Sequence, residues 1–554
     1  MKRLLPIVLS LLLLCGCGSA ATDPVAIETT PAPPTAATSA PVAETPEIPY
    51  ESRFSKETLI TLSDSGVKSS GPNSVNVFSS NDIVYYEDRD TYESGNPYGE
   101  GTDADKHTAE EATGHTVVNI TAPGAYRVTG KLSAGQLRID LGDDAYEDES
   151  AVVELILDNA DITCTVAPAI LFLNVYECDG NWSEDTAKAD VDTSAAGANL
   201  VLEGENTVNG SYVARIYKDK EGEKKLWKQD GAIYSYMSLN VFGPGKLTLN
   251  AENEGLDTEL HLTVNGGDIT ILSGNDGINT NVDNVSVTTI NAGTVRIVAG
   301  LGEEGDGIDS NGYLVINGGT VISAAKPQAD SGLDSDCGSY IHGGTVVALG
   351  AAMDWAESDS GQVTMNLQFN QRQTGALQVT AEEVAEVFSF DPASDPVLKD
   401  YNRGFQGAVI SCPAFQVGDS YYVYSEGKQM QYTSTDVMRG PGGDRGQRPE
   451  GFSGEMPTMP EGFEGQFPGG FSGERPEGFE GGKGPGNRSD RQPPEGFDGE
   501  MPTMPEGFNG QFPEGFGGQG GDRGDRGDAP SGESQILFYM LDKVNFFSGL
   551  TQAQ

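Results

Sequence analysis

The chain has 554 residues, with 83 Asp and Glu against 34 Lys and Arg, for a net charge of −49. Such a surface repels nucleic acid and anionic lipid, so neither is an expected direct ligand, and a polyanion would need a cation between it and the protein. The 73 glycines and 8% aromatic residues suit a turn-rich β architecture with appendages rather than a large aromatic core.

At the N-terminus, Lys2 and Arg3 precede an apolar run over residues 4–14, which has the length of a secretory signal and is too short to span a bilayer. Its end, Leu14-Cys15-Gly16-Cys17, has the form of a bacterial lipobox. Cleavage after residue 16 would leave Cys17 to carry lipid, anchoring the exported chain by its N-terminus on the outer face of the bacterial cell membrane. Residues 17–51 are rich in Ala, Thr and Pro and read as an extended tether. Beyond it lie Cys164, Cys178, Cys337 and Cys412, without the C-x-x-C spacing of a zinc site. Export permits a disulfide, of which Cys164 with Cys178 is the most local; free buried thiols are the alternative.

Residues 52–435 are predicted to be globular. Alternating segments at 124–130, 136–141, 152–157 and 199–204 lead into a regular repeat, which Asp230-Gly231-Ala232-Ile233 introduces. Four units follow, each a Gly-Ile/Leu-Asp/Asn loop and a strand opened by a small-residue turn. The turns are Asn265-Gly266-Gly267, Asn291-Ala292-Gly293, Asn317-Gly318-Gly319 and His342-Gly343-Gly344, so their second glycines stand 26, 26 and 25 residues apart. Three apolar positions recur in every unit: Leu256, Ile278, Ile308, Leu333; Val264, Ile290, Ile316, Ile341; and Ile269, Val295, Val321, Val346. Period-two alternation in short strands, repeated every 25 or so residues, predicts an all-β solenoid, a parallel β-helix of about seven to nine rungs whose apolar columns form the inner wall. Residues 185–198 and 218–229 are expected to bulge from it. Thr380-Ala381-Glu382-Glu383 has the form of a capping box and predicts a short helix, and residues 415–424 read as a late strand.

Residues 436–533 are a Gly/Pro-rich insert in which Pro-Glu-Gly-Phe recurs, and residues 455–463 return at 500–508. Phenylalanines spaced among Gly and Pro build no packed core, so a disordered segment is expected, open to contacts with other surface proteins. Its Arg-Gly-Asp tripeptides at 523–525 and 526–528 are read as products of low complexity. Residues 534–554 turn apolar again and are expected to dock as a terminal strand that caps the solenoid.

The repeat loops align oxygen ligands from rung to rung. Asp257, Asp309 and Asp334 lie ten residues before the second glycine of their units, and Asn279 lies fourteen before. Asp276, Asp306, Asn311, Asp330 and Asp336 adjoin them, with Asp283, Glu303 and Glu304 nearby. Rungs stack about 4.8 Å apart, so these acids would repel one another without a counter-ion, and a hard cation with six to eight oxygen ligands, Ca2+, is expected among them. The alternative is that they satisfy loop amides as Asx turns. No nucleophile elbow, P-loop or His-Glu-x-x-His occurs, and of four histidines only His342 falls in the repeat turns. Arg296, pointing outward, and Lys326 are the candidate bases for a lyase reaction. Trp355 is the first candidate for an exposed sugar-stacking ring, ahead of Trp182, Trp227, Tyr234 and Tyr236.

Residues 230–349 resemble a family of exported bacterial carbohydrate-binding proteins first described in cellulolytic clostridia. The resemblance rests on Asp306-Gly307-Ile308-Asp309-Ser310-Asn311, Ser331-Gly332-Leu333-Asp334-Ser335, the Gly-Gly-x-Val/Ile turns, the strand at 124–130 and the closing segment 544–549. It implies a right-handed parallel β-helix, related in shape to pectate lyases, with calcium in the acidic loops and polygalacturonate or cellulose as ligand. Asn279 departs from the loop Asp and weakens the rung it occupies. The expected function is thus calcium-dependent binding of polysaccharide, Trp355 and Arg296 being the candidate ligand contacts; a pectate-lyase-like enzyme and a structural adhesion protein are the alternatives.

Overall fold

Alternation makes the strands and the repeat stacks them. In the computed structural model, Glu254–Thr258, Ile278–Thr280, Ile308–Ser310 and Asp334–Ser335 pair in parallel in that order. A second ladder joins Leu262–Val264, Val287–Ile290, Tyr313–Ile316 and Gly338–Ile341. A third joins Asp268–Ser273, Thr294–Val298, Thr320–Ala324 and Thr345–Gly350. The first ladder continues towards the N-terminus through Gly231–Ser235, Ile170–Asn174, Gly135–Asp140 and Thr116–Ile120, all parallel. The structure describes residues 48–79, 107, 109–181, 183–213, 217–219, 222–224, 229–302, 304–327, 329–351, 354–381, 385–436 and 534–553. Cys17, the tether up to residue 47, and residues 437–533 with their Arg-Gly-Asp tripeptides lie outside them.

The three apolar columns face inward together. Leu256, Ile278 and Ile308 are opposite one another, as are Val264, Ile290, Ile316 and Ile341, and Ile269, Val295, Val321 and Val346. All are fully buried in one continuous core. The inward polar column Thr258, Thr280, Ser310 is buried too; Thr280 Oγ1 and Ser310 Oγ bond to each other at 2.9 Å, whereas Thr258 Oγ1 has no hydrogen-bond partner.

Glycine is required at two points of each unit for different reasons. The second turn glycines, Gly267, Gly293, Gly319 and Gly344, have φ of +95°, +85°, +78° and +83°, which a side chain disfavours. At Gly307 the obstacle is space: a Cβ would lie 1.7 Å from Ser323 Oγ and 2.4 Å from the Gly332 carbonyl oxygen. Because the second clash is with backbone, Gly307→Ala is expected to cost about 1–3 kcal/mol, read as a lower urea midpoint at unchanged m-value.

The last rung is covered by antiparallel structure. Phe405–Ser411 pairs with Thr345–Gly350 and with Thr364–Gln373, and the latter pairs in parallel with Val544–Gln552. Met365, Leu367, Phe369, Phe405, Ile410 and Phe547 form a second core there. Joining the C-terminal strand to this layer protects an edge that would otherwise recruit other chains.

One expectation needs correction, one open alternative is decided, and one element was not foreseen. The capping-box segment is not a helix: Leu377–Ala381 and Glu386–Phe390 form an antiparallel pair, because alternating Leu377, Val379 and Phe388 bury against the second core. Glu382 and Glu383 lie outside the described residues. Cys164 and Cys178 are not bonded, and all four cysteines from Cys164 onward are free thiols. Cys164 is instead taken up by the interior. Among the described residues the one α-helix, Ala109–Thr113, was not foreseen; it buries Ala112 in the main core.

Candidate functional site

Two columns of oxygen ligands flank the Gly-Ile/Leu pairs of the first ladder. One runs through Asp257, Asn279, Asp309 and Asp334, opposite one another in register. These residues alternate with the inward apolar positions and so point outward. The other precedes the glycines: Glu254, Asp276 and Asp306. Asp276, Asp309 and Asn279 are buried, as is Glu254, to which Asn279 Nδ2 donates a hydrogen bond at 3.1 Å.

Loop amides take up part of this negative charge. Asp276 Oδ1 accepts from the Asp306 N–H at 2.7 Å, Asp306 Oδ1 from the Ser331 N–H at 2.5 Å, and Asp330 Oδ2 from the Gly305 N–H at 2.9 Å. Each carboxylate thus ties its rung to the next one. The amides do not offset the repulsion. Burial, then Asp309, Glu254 and Asp306, push the Asp276 carboxyl well above the usual range. Burial, then Asp334, Asp306 and Glu254, do the same to Asp309. Asp306 is pushed up to about 8 by burial and by Asp334, with further contributions from Asp330 and Asp354. Buried acids that raise one another's affinity for protons are a marker of functional sites and a place for a cation.

Asn279 Oδ1 is buried without a hydrogen-bond partner, in the column between Asp257 and Asp309. Among the described residues, no three His, Cys, Asp or Glu side chains converge on a single point as metal ligands. The acids are electrostatically coupled along the columns rather than gathered into one preformed cage.

The remaining candidates divide. Asp334 stands in the column, and Asp336, half-buried one turn later, raises the proton affinity of Asp309. Asn311 lies apart from this coupling and donates from Nδ2 to the Asn281 carbonyl at 3.2 Å. Glu303, Trp182 and Trp227 lie outside the described residues. Glu254 was missed by the sequence reading, although Glu254-Gly255 repeats the pattern of Asp276-Gly277 and Asp306-Gly307; its longer side chain hid the match.

Two proposed ligand contacts are corrected. Trp355 is only 9% exposed and packs edge-on against Phe546 at 4.7 Å, so it is core rather than a platform. Arg296 sits on the third ladder, with its guanidinium 3.2 Å from Asp268 and 3.4 Å from Asp395. Those two acids hold it on the outer wall, away from the acidic columns. Tyr234 is fully buried, its hydroxyl donating to Glu259. His261 is likewise a core residue, with Nδ1 accepting from the Val287 N–H at 3.0 Å.

A groove of 830 Å³ lies over the second ladder. Its floor is the outward column Asn199, Asn240, Thr263, Thr289, Val315, Tyr340, in parallel register throughout. Beside it Asn317 Nδ2 donates to Asn291 Oδ1 at 2.8 Å, and Asn291 Nδ2 to Asn265 Oδ1 at 2.9 Å. One end is closed by the loop at 189–194, where Thr193 Oγ1 meets Asn240 Oδ1 and Thr263 Oγ1, each at 2.7 Å. Arg53 fastens that loop by donating to the carbonyls of Ser194, Ala195 and Ala196. At the other end Tyr313, Tyr340 and the exposed His342 line the opening.

Comparison with known proteins gives a match over residues 114–368 to the family described as "Carbohydrate-binding domain-containing protein". That stretch includes both acidic columns and most of the groove. A carbohydrate-binding domain-containing protein of Acetivibrio thermocellus is 30% identical over 174 residues, which are 30% of this chain. The chain spans about half, 51%, of the length of that curated relative. A solved polysaccharide lyase-like protein from C. thermocellum, a gadolinium derivative, aligns with 52% of this chain and 92% of its own, at 19% identity and a TM-score of 0.30.

Proposed function

We propose, from the match of residues 114–368 to a carbohydrate-binding domain, that this chain binds polysaccharide without cleaving it and uses calcium to do so. The observation that carries the reading is the elevation of Asp276, Asp306 and Asp309 by burial and by neighbouring carboxylates within that stretch. All donors are oxygen, which is the chemistry of Ca2+ rather than of a softer metal, and the orphaned Asn279 Oδ1 adds a neutral one. In this reading Asp276, Asn279 and Asp309 hold the ion, with Asp306, Asp330, Asp334 and Asp336 around it and Asp257 at the N-terminal end. Bound calcium would supply the positive charge that keeps these acids ionised and accepts a uronate carboxylate from the ligand. The side chains then have two tasks: to give up their protons and to turn towards a common centre.

The same proposal takes the three ladders as a right-handed parallel β-helix. It places the chain outside the bacterial cell, held by lipid on Cys17. The net charge of −49 favours a cation-bridged acidic glycan such as polygalacturonate over direct contact with one.

Affinity electrophoresis in polygalacturonate gels tests this. Calcium is expected to retard the protein, EDTA to release it, and Asp276→Asn with Asp309→Asn to lower the affinity by about tenfold or more. Equal mobility with and without calcium would sink the proposal. Release of unsaturated products, followed by absorbance, would replace it with a lyase.

A further inference from the structure

We infer that the groove over the second ladder is a separate binding site for uncharged polysaccharide, working without calcium. The inference rests on the carbohydrate-binding reading but not on the acidic columns.

The open end of the groove presents three rings, Tyr313 on one rung and Tyr340 and His342 on the next. Tyr313 and Tyr340 have centroids 6.5 Å apart with planes at 32°, and Tyr340 and His342 are 6.3 Å apart at 23°. The two tyrosines are half-buried and His342 is exposed, so each ring is anchored at its base with an edge or face left to solvent. Gently inclined rings, one pair across neighbouring rungs and one along a single strand, form a continuous strip running diagonally over the wall, which suits the C–H faces of a sugar chain. His342 is held in place by its Nδ1, which accepts from the Gly361 N–H at 2.9 Å.

Fixed polar groups run beside the strip. The Asn265–Asn291–Asn317 bonds orient every amide the same way, and Asn317 ends that row exposed. Thr289 is half-buried on the floor. An apolar strip with a few oriented amides and hydroxyls is the composition of a small-molecule or glycan site.

Charge decides which glycan. Asp359 bears on Tyr340 at the open end, and Glu51, Asp190 and Asp192 also line the groove, the last two from the loop that closes its far end, while the guanidinium of Arg53 is committed to three backbone carbonyls. A uronate chain would be repelled there, whereas hydroxyl-bearing neutral sugars would find acceptors. Because the loop at 189–194 fills the N-terminal end, the ligand occupies the rungs from Thr289 onward and leaves past His342.

The test is affinity electrophoresis of the full chain in gels containing hydroxyethylcellulose, galactomannan or polygalacturonate, each with calcium or with EDTA. An uncharged polysaccharide is expected to retard the protein equally in calcium and EDTA. Tyr340→Ala should weaken that binding about tenfold, and Asn317→Ala about threefold, with calcium-dependent retardation by polygalacturonate unchanged. Thermal midpoints check that both variants fold; Asn317 is exposed and serves as the variant least able to perturb folding. No retardation by either neutral glycan, or retardation that survives both substitutions or needs calcium, overturns the inference. If polygalacturonate still binds in that case, the proposed function stands and only the groove is misassigned. If no glycan binds under any condition, both fail.

Discussion

In EDTA the protein is expected to lose stability as pH rises from about 4 to about 8, and calcium should remove most of that loss. Asp306 ionises in the unfolded chain near the ordinary carboxylate value but in the folded protein only at about 8. Below the lower value it is neutral in both states and carries no penalty. Between the two, the folded state holds a proton that the unfolded state has released, so stability falls with rising pH. Above about 8 the full cost of the buried charge is present. Asp276 and Asp309 are raised as well and steepen the fall in the same direction. Net self-repulsion of the acidic chain also grows with pH, so a substitution is needed to isolate the columns.

Asp309→Asn provides it. The amide keeps the shape of the carboxylate and removes one charge that bears on Asp276. In EDTA at pH 8 it should raise stability by about 1–3 kcal/mol, with little change at pH 5. It should also remove most of the extra stability that calcium gives the parent chain by mass action. Urea unfolding at both pH values, with calcium and with EDTA, reads all four quantities. If Asp309→Asn lowers stability in EDTA at pH 8, the repulsion argument is wrong, and the carboxylate serves chiefly as an acceptor for loop amides.

Trp355→Ala is expected to cost about 3–5 kcal/mol while leaving glycan affinity of the folded protein unchanged. The indole is almost wholly enclosed, in T-shaped contact with Phe546 of the C-terminal strand, and belongs to the main core with Val409 and Val544. It therefore joins the last rungs to the antiparallel layer that covers them. Truncating it leaves a cavity at that junction rather than a bare binding face. Denaturant unfolding gives the first quantity and gel retardation the second. Lost affinity at unchanged stability would return Trp355 to the role of a sugar platform.

The contrast between Trp355 and Asp309 marks how much could be read in advance. The inner wall was legible residue by residue: Leu256, Ile278 and Ile308, or Val264, Ile290, Ile316 and Ile341, stand opposite one another as the repeat requires. So did the outward column of Asp257, Asn279, Asp309 and Asp334. Alternation sets which face a residue takes, and stacking at a constant period sets what lies above and below it. Both are properties of neighbours in sequence, so sequence by itself determined them, along with the turn glycines whose positive φ the repeat demands. Tertiary structure decided whatever depends on chain far away. Trp355 is buried because a strand almost two hundred residues later returns to cover it, and Arg296 is engaged because Asp395 arrives from the antiparallel layer. One end of the groove is closed because Arg53 crosses to hold the loop at 189–194. Such contacts follow no period, since they arise where irregular segments meet the regular stack.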